Sequence, residues 1–349
     1  MSLPAQATPP RKRIDLGFLR RWQKTYVWLL LAMMSLALAS AINGWRSFVP
    51  AQVVLNRQDQ LGQELPVQSP LPGPILVLSA HPDDETLGAA GIIQDALSRG
   101  QQVWVVFMTS GDAFPWTPAY VQRFWDGGVA IRAYGARRMD EARAAAGVLG
   151  VPASHVLFLG FPDRGLTRME NQYLTTPFFS PSTRVSRVPY QDALRPDAPY
   201  TGQQVERELQ LIARMVRPKI ILTTSVLDHH PDHRATAHAA VRLADEIGAR
   251  VFFFPVHDGL EWPIPKGNHP DLGLYPPRAQ EQGGVWRRFP LTGEQEETKG
   301  DAVSVYRSQT LVLGRFMWAF VRRNELLRPA EAGAGAGQTS SGQTGEDRP

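Results

Sequence analysis

The chain has 349 residues, no cysteine, 37 Lys and Arg against 33 Asp and Glu, and a formal net charge of +4. The lack of cysteine excludes disulfides and a thiolate-bound metal. Much of the positive excess lies in the first 25 residues, and the remainder shows no basic stripe, which argues against a nucleic-acid partner.

The N-terminal segment predicts a membrane anchor. Residues 1–25 are expected to form a basic cytoplasmic leader, and the uncharged residues 26–45 are long enough to cross a bilayer, which needs about 20 apolar residues. By the positive-inside rule, a single-pass protein with its enzyme domain outside the cytoplasm is expected. The small residues Ala39-Ser-Ala41 leave a cleaved signal peptide and a secreted protein as the alternative.

A polar, Gln- and Pro-rich stretch at residues 46–72 is predicted to be a linker, and residues 329–349, rich in Gly, Ala, Ser and Thr, a disordered tail. Between them, residues 73–328 are long enough for one α/β domain with a single core. A second folded domain is unnecessary.

Strand and helix signals alternate along this domain. Apolar runs predict strands at residues 75–78, 103–109, 156–159 and 220–224, and helical patterns follow at 88–97, 130–149 and 235–247. The alternation predicts a Rossmann-like, mostly parallel sheet flanked by helices. Two irregular stretches interrupt it: residues 163–203 are expected to wall a cleft, and residues 255–290 contain Trp262, Tyr275 and Trp286, which either stack on sugar rings or pack in the core.

Two motifs with metal-ligating side chains follow two of these strands. His81-Pro-Asp-Asp-Glu85 comes after the first strand, and Asp228-His-His-Pro-Asp-His233 comes after the strand at residues 220–224. Each motif alone is also compatible with an ordinary turn. Because the carboxyl ends of parallel strands share one edge of a sheet, the two together predict a metal site in a cleft.

The residues alone leave several assignments open. Spacing does not decide which of Asp83, Asp84 and Glu85 binds the metal and which accepts a proton. A site with two histidines and one carboxylate suits Zn²⁺ or Fe²⁺, and Zn²⁺ is the better choice for hydrolysis. Asp112, after the second strand, either lines the cleft or forms a turn.

Other polar side chains receive structural interpretations. Arg137, Arg138 and Glu141 fall on the helical pattern at 130–149, where a solvated face is expected. His155 and His257 stand apart from both motifs and are expected to be structural.

With these motifs, the chain resembles the LmbE-like or PIG-L family of zinc-dependent de-N-acetylases over about residues 73–325. The resemblance is carried by the two histidine motifs, and more weakly by Leu159-Gly-Phe-Pro-Asp-Arg-Gly-Leu166 and by Lys299 with Tyr306-Arg-Ser-Gln309. It implies the same Rossmann-like architecture and an amino-sugar substrate such as an N-acetylglucosamine conjugate.

The resemblance also implies residue roles. His81, Asp84 and His233 would bind zinc, and Asp83 would be the general base for attack of a zinc-bound water on the amide. A protonated His230, oriented by Asp232, would stabilise the oxyanion.

The same resemblance places Asp163 and Arg164 beside the sugar, where a turn ion pair is the alternative. Two other functions stay open. One is an amidase for a different sugar or thiol conjugate, and the other a noncatalytic, membrane-tethered carbohydrate-binding protein.

Overall fold

The structure, a computed structural model, describes residues 25–38, 60, 64–259, 262–277, 280 and 285–330. The chain divides into two compact units, Met1–Ala41 and Ile42–Pro349. In the first unit a helix occupies residues 25–38. The predicted cytoplasmic leader, apart from Thr25, and the predicted tail from residue 331 onward lie outside the described residues.

The predicted single-pass membrane localisation is wrong. Among the residues that the structure describes, no helix is both long and apolar enough to cross a membrane. Residues 39–45 of the predicted span lie outside the described residues.

The second unit is built on one seven-stranded sheet. Its strands are β1 (Ile75–Ser79), β2 (Val103–Thr109), β3 (Val156–Phe161), β4 (Ile220–Thr224), β5 (Arg250–Phe254), β6 (Arg287–Pro290) and β7 (Asn324–Pro329). The helices of this unit are α1 (Asp84–Ser98), α2 (Pro118–Gln122), α3 (Val129–Val148), α4 (Leu166–Asn171), α5 (Gly202–Val216), α6 (Pro231–Ile247), α7 (Gly293–Val305) and α8 (Arg307–Trp318).

The strand order favours a site at the carboxyl ends of β1 and β4. The order across the sheet is β3-β2-β1-β4-β5-β7-β6, with β1 to β5 parallel to one another and β7 antiparallel to both β5 and β6. The chain therefore winds outward in one direction from β1 and in the other from β4. Loops after β1 and β4 separate at this switch point and leave a crevice between them.

The predicted α/β class and mostly parallel sheet are confirmed, because β1 to β5 are parallel to one another and helices connect them. Strands β2 and β4 also have the predicted limits. All five residues of β1 and of β4 are buried, as expected for central strands covered by helices on both faces. Close packing of α1 on the sheet follows from Gly88, because a side chain there would collide with the ring of Phe254 on β5.

Three features differ from the sequence interpretation. Helix α1 begins at Asp84 and α6 at Pro231, so part of each motif lies in a first helical turn rather than in a loop. The antiparallel strands β6 and β7 were not predicted, because each is short and both contain charged residues. Residues 64–72, assigned to the linker, pair with Arg288 of β6 through backbone hydrogen bonds, and Leu71 is buried.

A buried ion pair fastens this antiparallel edge to α1. Nζ of Lys299 lies 2.8 Å from Oε1 of Glu325, and both side chains are at most 1% exposed. Nζ also donates to the carbonyl of Leu87, while the Glu325 carboxylate accepts from the amides of Gly91 and Ile92. The pair thus joins α7 and β7 to the backbone of the helix that carries the first motif.

Replacing Lys299 by alanine should lower the free energy of unfolding by about 3–5 kcal/mol, because it leaves Glu325 buried without a compensating charge. Urea denaturation measures the loss. Asp140→Ala, which removes an exposed ion pair with Arg143 on α3, is the control and should cost about 0–1 kcal/mol. Equal losses for the two variants would contradict the role given to the buried pair.

Candidate metal centre

The two histidine motifs meet at the switch point. His81 follows β1, and His233 lies in the first turn of α6, directly after the loop that leaves β4. Nδ1 of His81 lies 3.1 Å from Nε2 of His233 although 152 residues separate them. The two motifs therefore face each other across the crevice, as the order of the predicted strands required.

A carboxylate completes this pair of imidazoles. The two oxygens of Asp84 lie 3.7 Å from His81 Nδ1 and 3.3 Å from His233 Nε2. One oxygen accepts from the backbone amide of His81, whereas Oδ1 is buried with no hydrogen-bond donor among the described residues. A buried carboxylate oxygen beside an imidazole nitrogen fits a cation that both atoms would bind.

His81 is also common to two further clusters of three side chains whose ligand atoms lie within 4.8 Å of one another. One combines it with His230 and His233, and the other with Asp163 and Asp232. The first lies on the Nδ1 side of the ring, where His233 Nε2 is found. The second lies on the Nε2 side, which faces the two carboxylates.

The electrostatics of the cluster favour a positive charge at its centre. Burial opposes protonation of His81, but Asp163, Asp232 and Asp84 raise the pKa of its imidazole well above the usual value. Burial also opposes ionisation of Asp84, yet His233 and His81 hold the pKa of that carboxyl well below its usual range. A divalent cation supplies the same charge, and the donor set of two imidazoles and one carboxylate suits it.

Each imidazole has a carboxylate on the side away from the other. Nε2 of His81 lies 3.2 Å from Oδ1 of Asp163, and Nδ1 of His233 lies 3.1 Å from Oδ2 of Asp228. A carboxylate at one ring nitrogen keeps the proton there and leaves the other nitrogen free to bind a metal. The free nitrogens are Nδ1 of His81 and Nε2 of His233, which are the two that face each other.

Asp228 is the first residue of the second motif, and the sequence predicted no role for it. Its carboxylate is fully buried and accepts from the amides of His230, Val256 and His257 as well as facing His233. It therefore fixes both the loop after β4 and the orientation of His233. Its position five residues before a histidine was the only available signal, and spacing alone does not show that a ring and a carboxylate meet.

Asp83 occupies the position before α1 and lines the cavity. Its φ of 119° is a left-handed conformation that non-glycine residues rarely adopt, and its side chain does not cap the helix. Oδ2 instead accepts from Arg138 at 2.9 Å. Burial raises the pKa of Asp83, and Arg138 opposes that rise. A carboxylate that titrates closer to neutrality is suited to accept a proton.

The solvated face expected for Arg138 is wrong. Its guanidinium is buried and also donates to the carbonyls of Pro82 and Gly111, so it ties the loop after β1 to the loop after β2. Arg137, on the same helix, is exposed and pairs with Glu141, as expected. Helical periodicity did not separate the two neighbours, because the hydrophobic pattern of this Ala-rich helix is weak.

His230 is held with its Nδ1 toward the backbone amide of Asp232, which donates to it at 3.2 Å. Nδ1 therefore carries a lone pair, and the ring proton lies on Nε2. Burial, with the neighbouring His81 and His233, lowers the pKa of His230 well below the usual value. The lowered pKa favours a neutral imidazole that donates through Nε2–H, whereas the resemblance implies a protonated one.

The carboxylate of Asp232 points elsewhere. It accepts from the amides of Arg164 and Leu166 and lies 3.5 Å from Nε2 of His81. It therefore orients the loop after β3 and the first imidazole, while only its amide orients His230. Glu85, the third acid of the first motif, turns away and accepts from the hydroxyls of Thr86 and Tyr306.

The three residues expected at the substrate lie at different depths. Arg164 lines the cavity, and Asp163 lines it while contacting His81 and the amide of Ala113. Asp112 is fully buried behind Asp163, where it accepts from that residue's amide and from the hydroxyl of Tyr190. Substrate contact by these residues stays a prediction, and the contacts of Asp112 are those of a positioning residue.

His257, expected to be structural, lines the cavity too. It follows β5, and its ring centroid lies 5.0 Å from that of His233. The three aromatic residues considered as sugar-stacking groups do the opposite: Trp262, Tyr275 and Trp286 are buried in the core. For His257, sequence distance from the motifs gave the wrong expectation. For the three aromatic residues, the core-packing alternative is the one observed.

Comparison with known proteins agrees with these motifs. Residues 76–244 match the family model described as PIG-L: GlcNAc-PI de-N-acetylase. The chain carries a PIG-L family domain. The family predicted from the two histidine motifs is therefore confirmed, and the matched segment runs from β1 to the last turns of α6.

Relatives of this PIG-L chain are named as deacetylases. A 1D-myo-inositol 2-acetamido-2-deoxy-alpha-D-glucopyranoside deacetylase of Tsukamurella paurometabola is 32% identical over 198 residues, which are 55% of this chain and 60% of that protein. A diacetylchitobiose deacetylase of Thermococcus kodakarensis is 24% identical over 244 residues, 67% of this chain and 69% of that protein. The chain thus spans less than two thirds of the first of these relatives.

Solved structures give a weaker likeness. A deacetylase from the teicoplanin biosynthesis pathway is 19% identical with a TM-score of 0.48, and the similarity covers 73% of this chain and 96% of that one. We draw no functional conclusion from it.

Replacing Asp228 by asparagine should weaken binding of a divalent metal by about 10–100-fold, because it removes the carboxylate that orients His233. Titration of the full-length protein with Zn²⁺ against a competing chelator measures the affinity. Asp258→Asn is the matched control, since Asp258 lies 3.4 Å from Nδ1 of His229, a histidine outside the cluster. Equal affinities for the two variants would remove Asp228 from the site.

Proposed function

We propose that the protein is a metal-dependent N-deacetylase that hydrolyses the amide of an N-acetylglucosamine-type substrate. One observation carries the proposal: Nδ1 of His81, Nε2 of His233 and an oxygen of Asp84 that has no hydrogen-bond donor among the described residues lie together, with the carboxylate of Asp83 in the same cavity. The PIG-L match and the deacetylase names of the relatives support it.

His81, Asp84 and His233 are the residues that would hold the metal, for which we propose Zn²⁺, with Fe²⁺ as the alternative. When bound, such an ion supplies Lewis-acid polarisation of a carbonyl and lowers the pKa of a water. Asp163 and Asp228 keep the two imidazoles in the orientation that exposes the ligand nitrogens. They act as positioning residues.

Asp83 performs the proton transfers. Held by Arg138, its carboxylate accepts a proton from the attacking water as the oxygen adds to the amide carbonyl. The same proton then passes to the departing nitrogen as the C–N bond breaks, so the products are acetate and a free amine. The left-handed backbone at Asp83 keeps the side chain in the cavity rather than on the end of α1.

His230 stabilises the oxyanion. Its Nε2–H is free to donate because Nδ1 is occupied by the amide of Asp232, and the ring lines the cavity close to His81. A neutral donor placed where negative charge develops lowers the barrier without a proton transfer. We assign Arg164, and through it the loop after β3, to contact with the sugar.

Asp83→Asn should reduce acetate release from an N-acetylglucosaminide by about 10²–10⁴-fold while metal affinity stays unchanged, since the amide keeps the shape but does not accept the proton. A coupled assay for acetate and a Zn²⁺ titration measure the two quantities. Asp95→Asn, on the same helix and paired with Arg99, serves as control. Undiminished acetate release by the Asp83 variant would exclude it as the base.

Removal of metal by a chelator should abolish acetate release, and added Zn²⁺ should restore it. The expected cause is loss of the cation from His81, Asp84 and His233, so an Asp84→Ala variant should gain nothing from added Zn²⁺. Recovery with Fe²⁺ under anaerobic conditions but not with Zn²⁺ would identify iron instead. Full activity after chelation, verified by elemental analysis, would contradict a metal-dependent hydrolysis.

A further inference from the structure

The cavity beside the metal cluster has two chemically different sides. Its volume is about 240 Å³, and one side is formed by charged and imidazole groups such as Asp83, Arg138 and His230. The other side, called here the apolar wall, is formed by Phe114, Pro115, Trp116, Leu313, Phe316 and Met317.

Two separate segments build the apolar wall. Phe114 to Trp116 belong to the connection after β2, where the rings of Phe114 and Trp116 meet edge to face at 5.5 Å. Leu313, Phe316 and Met317 belong to α8, which lies beyond the segment matched by the PIG-L family model. The apolar wall therefore combines residues inside the matched segment with residues of α8 beyond it.

The α8 side of the wall is held firmly. Phe316 and Met317 are buried, and the Phe316 ring stacks on that of His257 with centroids 5.5 Å apart. Leu313 is half-buried and departs from helical geometry, with φ −109° and ψ 23°, so α8 bends at the residue that faces the cavity. This stack places the apolar wall next to the imidazoles of the metal cluster, so one ligand can contact both.

The α8 part of the apolar wall does not suit an amino sugar alone. The sugar ring carries hydroxyls, and a hydroxyl buried against Leu, Met and Phe side chains loses its hydrogen bonds to water without replacement. An alkyl or aryl group on the same substrate instead gains free energy in proportion to the apolar area that it removes from water. A thioether and a leucine also adapt their shape to a flexible chain.

We propose that the substrate carries an apolar group next to its amide-bearing amino sugar, and that this group binds on the apolar wall. The inference rests on the proposed function, because the charged side of the cavity is taken to hold the amide. The group has two possible sources with the same chemistry, an aglycone on the anomeric carbon or an N-acyl chain longer than acetyl.

Three ligands separate these sources: methyl N-acetylglucosaminide, its hexyl glycoside, and methyl N-hexanoylglucosaminide. Equilibrium binding is measured by calorimetry on the Zn²⁺-loaded, full-length Asp83→Asn protein, and amine release on the unmodified protein. We expect either the hexyl glycoside or the hexanoyl amide to bind at least tenfold more tightly than methyl N-acetylglucosaminide, a difference of about 1.4 kcal/mol. A preference for the glycoside assigns the aglycone, and a preference for the hexanoyl amide assigns the acyl chain.

Variants of the wall test where the gain arises. In the Asp83→Asn background, Leu313→Ser should reduce the tenfold preference to less than threefold, and Trp116→Ser, from the other segment, should reduce it as well. Leu311→Ser is the matched control, because Leu311 is on the same helix but 88% exposed, and it should keep the full preference. Thermal unfolding of each variant shows whether it is folded. Two wall variants are used so that the test still stands if one of them does not fold.

Equal affinity for all three ligands, or a preference that survives both wall variants, would overturn the inference. Failure of the proposed function has a different signature. In that case no ligand releases an amine from the unmodified protein, although the hexyl preference in binding and its loss on Leu313→Ser remain.

Discussion

Everything at the centre of this domain depends on burying several carboxylates and imidazoles at one point of the sheet. Asp84, Asp228 and Asp232 are at most 1% exposed, and His233 is fully buried among them. Buried charges of one sign are costly unless opposite charge is placed beside them. Arg138 meets this requirement for Asp83, and a divalent cation would meet it for Asp84. The parallel sheet makes such a cluster possible, because the loops after β1 and β4 diverge and leave space for it.

The fold was largely predictable because its signals are local. Apolar runs bounded by Pro, Gly and Asp gave β2 and β4 with their limits, and the alternation of strands and helices gave the parallel order. Elements whose stability comes from distant partners were not predicted. Strand β7 begins with the polar residues Asn324 and Glu325, and Glu325 is buried beside Lys299 of α7, a partner that lies 26 residues before it. The membrane span was predicted from apolar composition over residues 26–45, and among the described residues no helix is long and apolar enough to cross a membrane.

The site was predicted in its chemistry but not in its supports. Histidine next to aspartate after a strand predicts metal ligands, so the motifs alone indicated His81 and His233, and the family resemblance added Asp84. Arg138 and His257 were not, because each comes from a segment with ordinary local pattern and reaches the site only through the packing of α3 and of the loop after β5. Residue spacing indicates ligand chemistry, but it does not indicate tertiary contacts.

The C-terminal elements give the site its individuality. Lys299 and Glu325 bind the backbone of α1, the helix that begins at the metal cluster, and α8 closes the cavity with an apolar surface. The metal-ligating motifs lie in the segment that matches the PIG-L family model, whereas the space around them is shaped both by that segment, through Phe114 and Trp116, and by α8 beyond it.

The most direct test of the account is the position of a bound metal. Crystals of the protein grown with Zn²⁺ and measured at the zinc absorption edge should show one anomalous peak at about 2.0–2.2 Å from Nδ1 of His81, Nε2 of His233 and an oxygen of Asp84. A peak on the other side of the His81 ring, between Asp163 and Asp232, or no peak at saturating Zn²⁺, would contradict it.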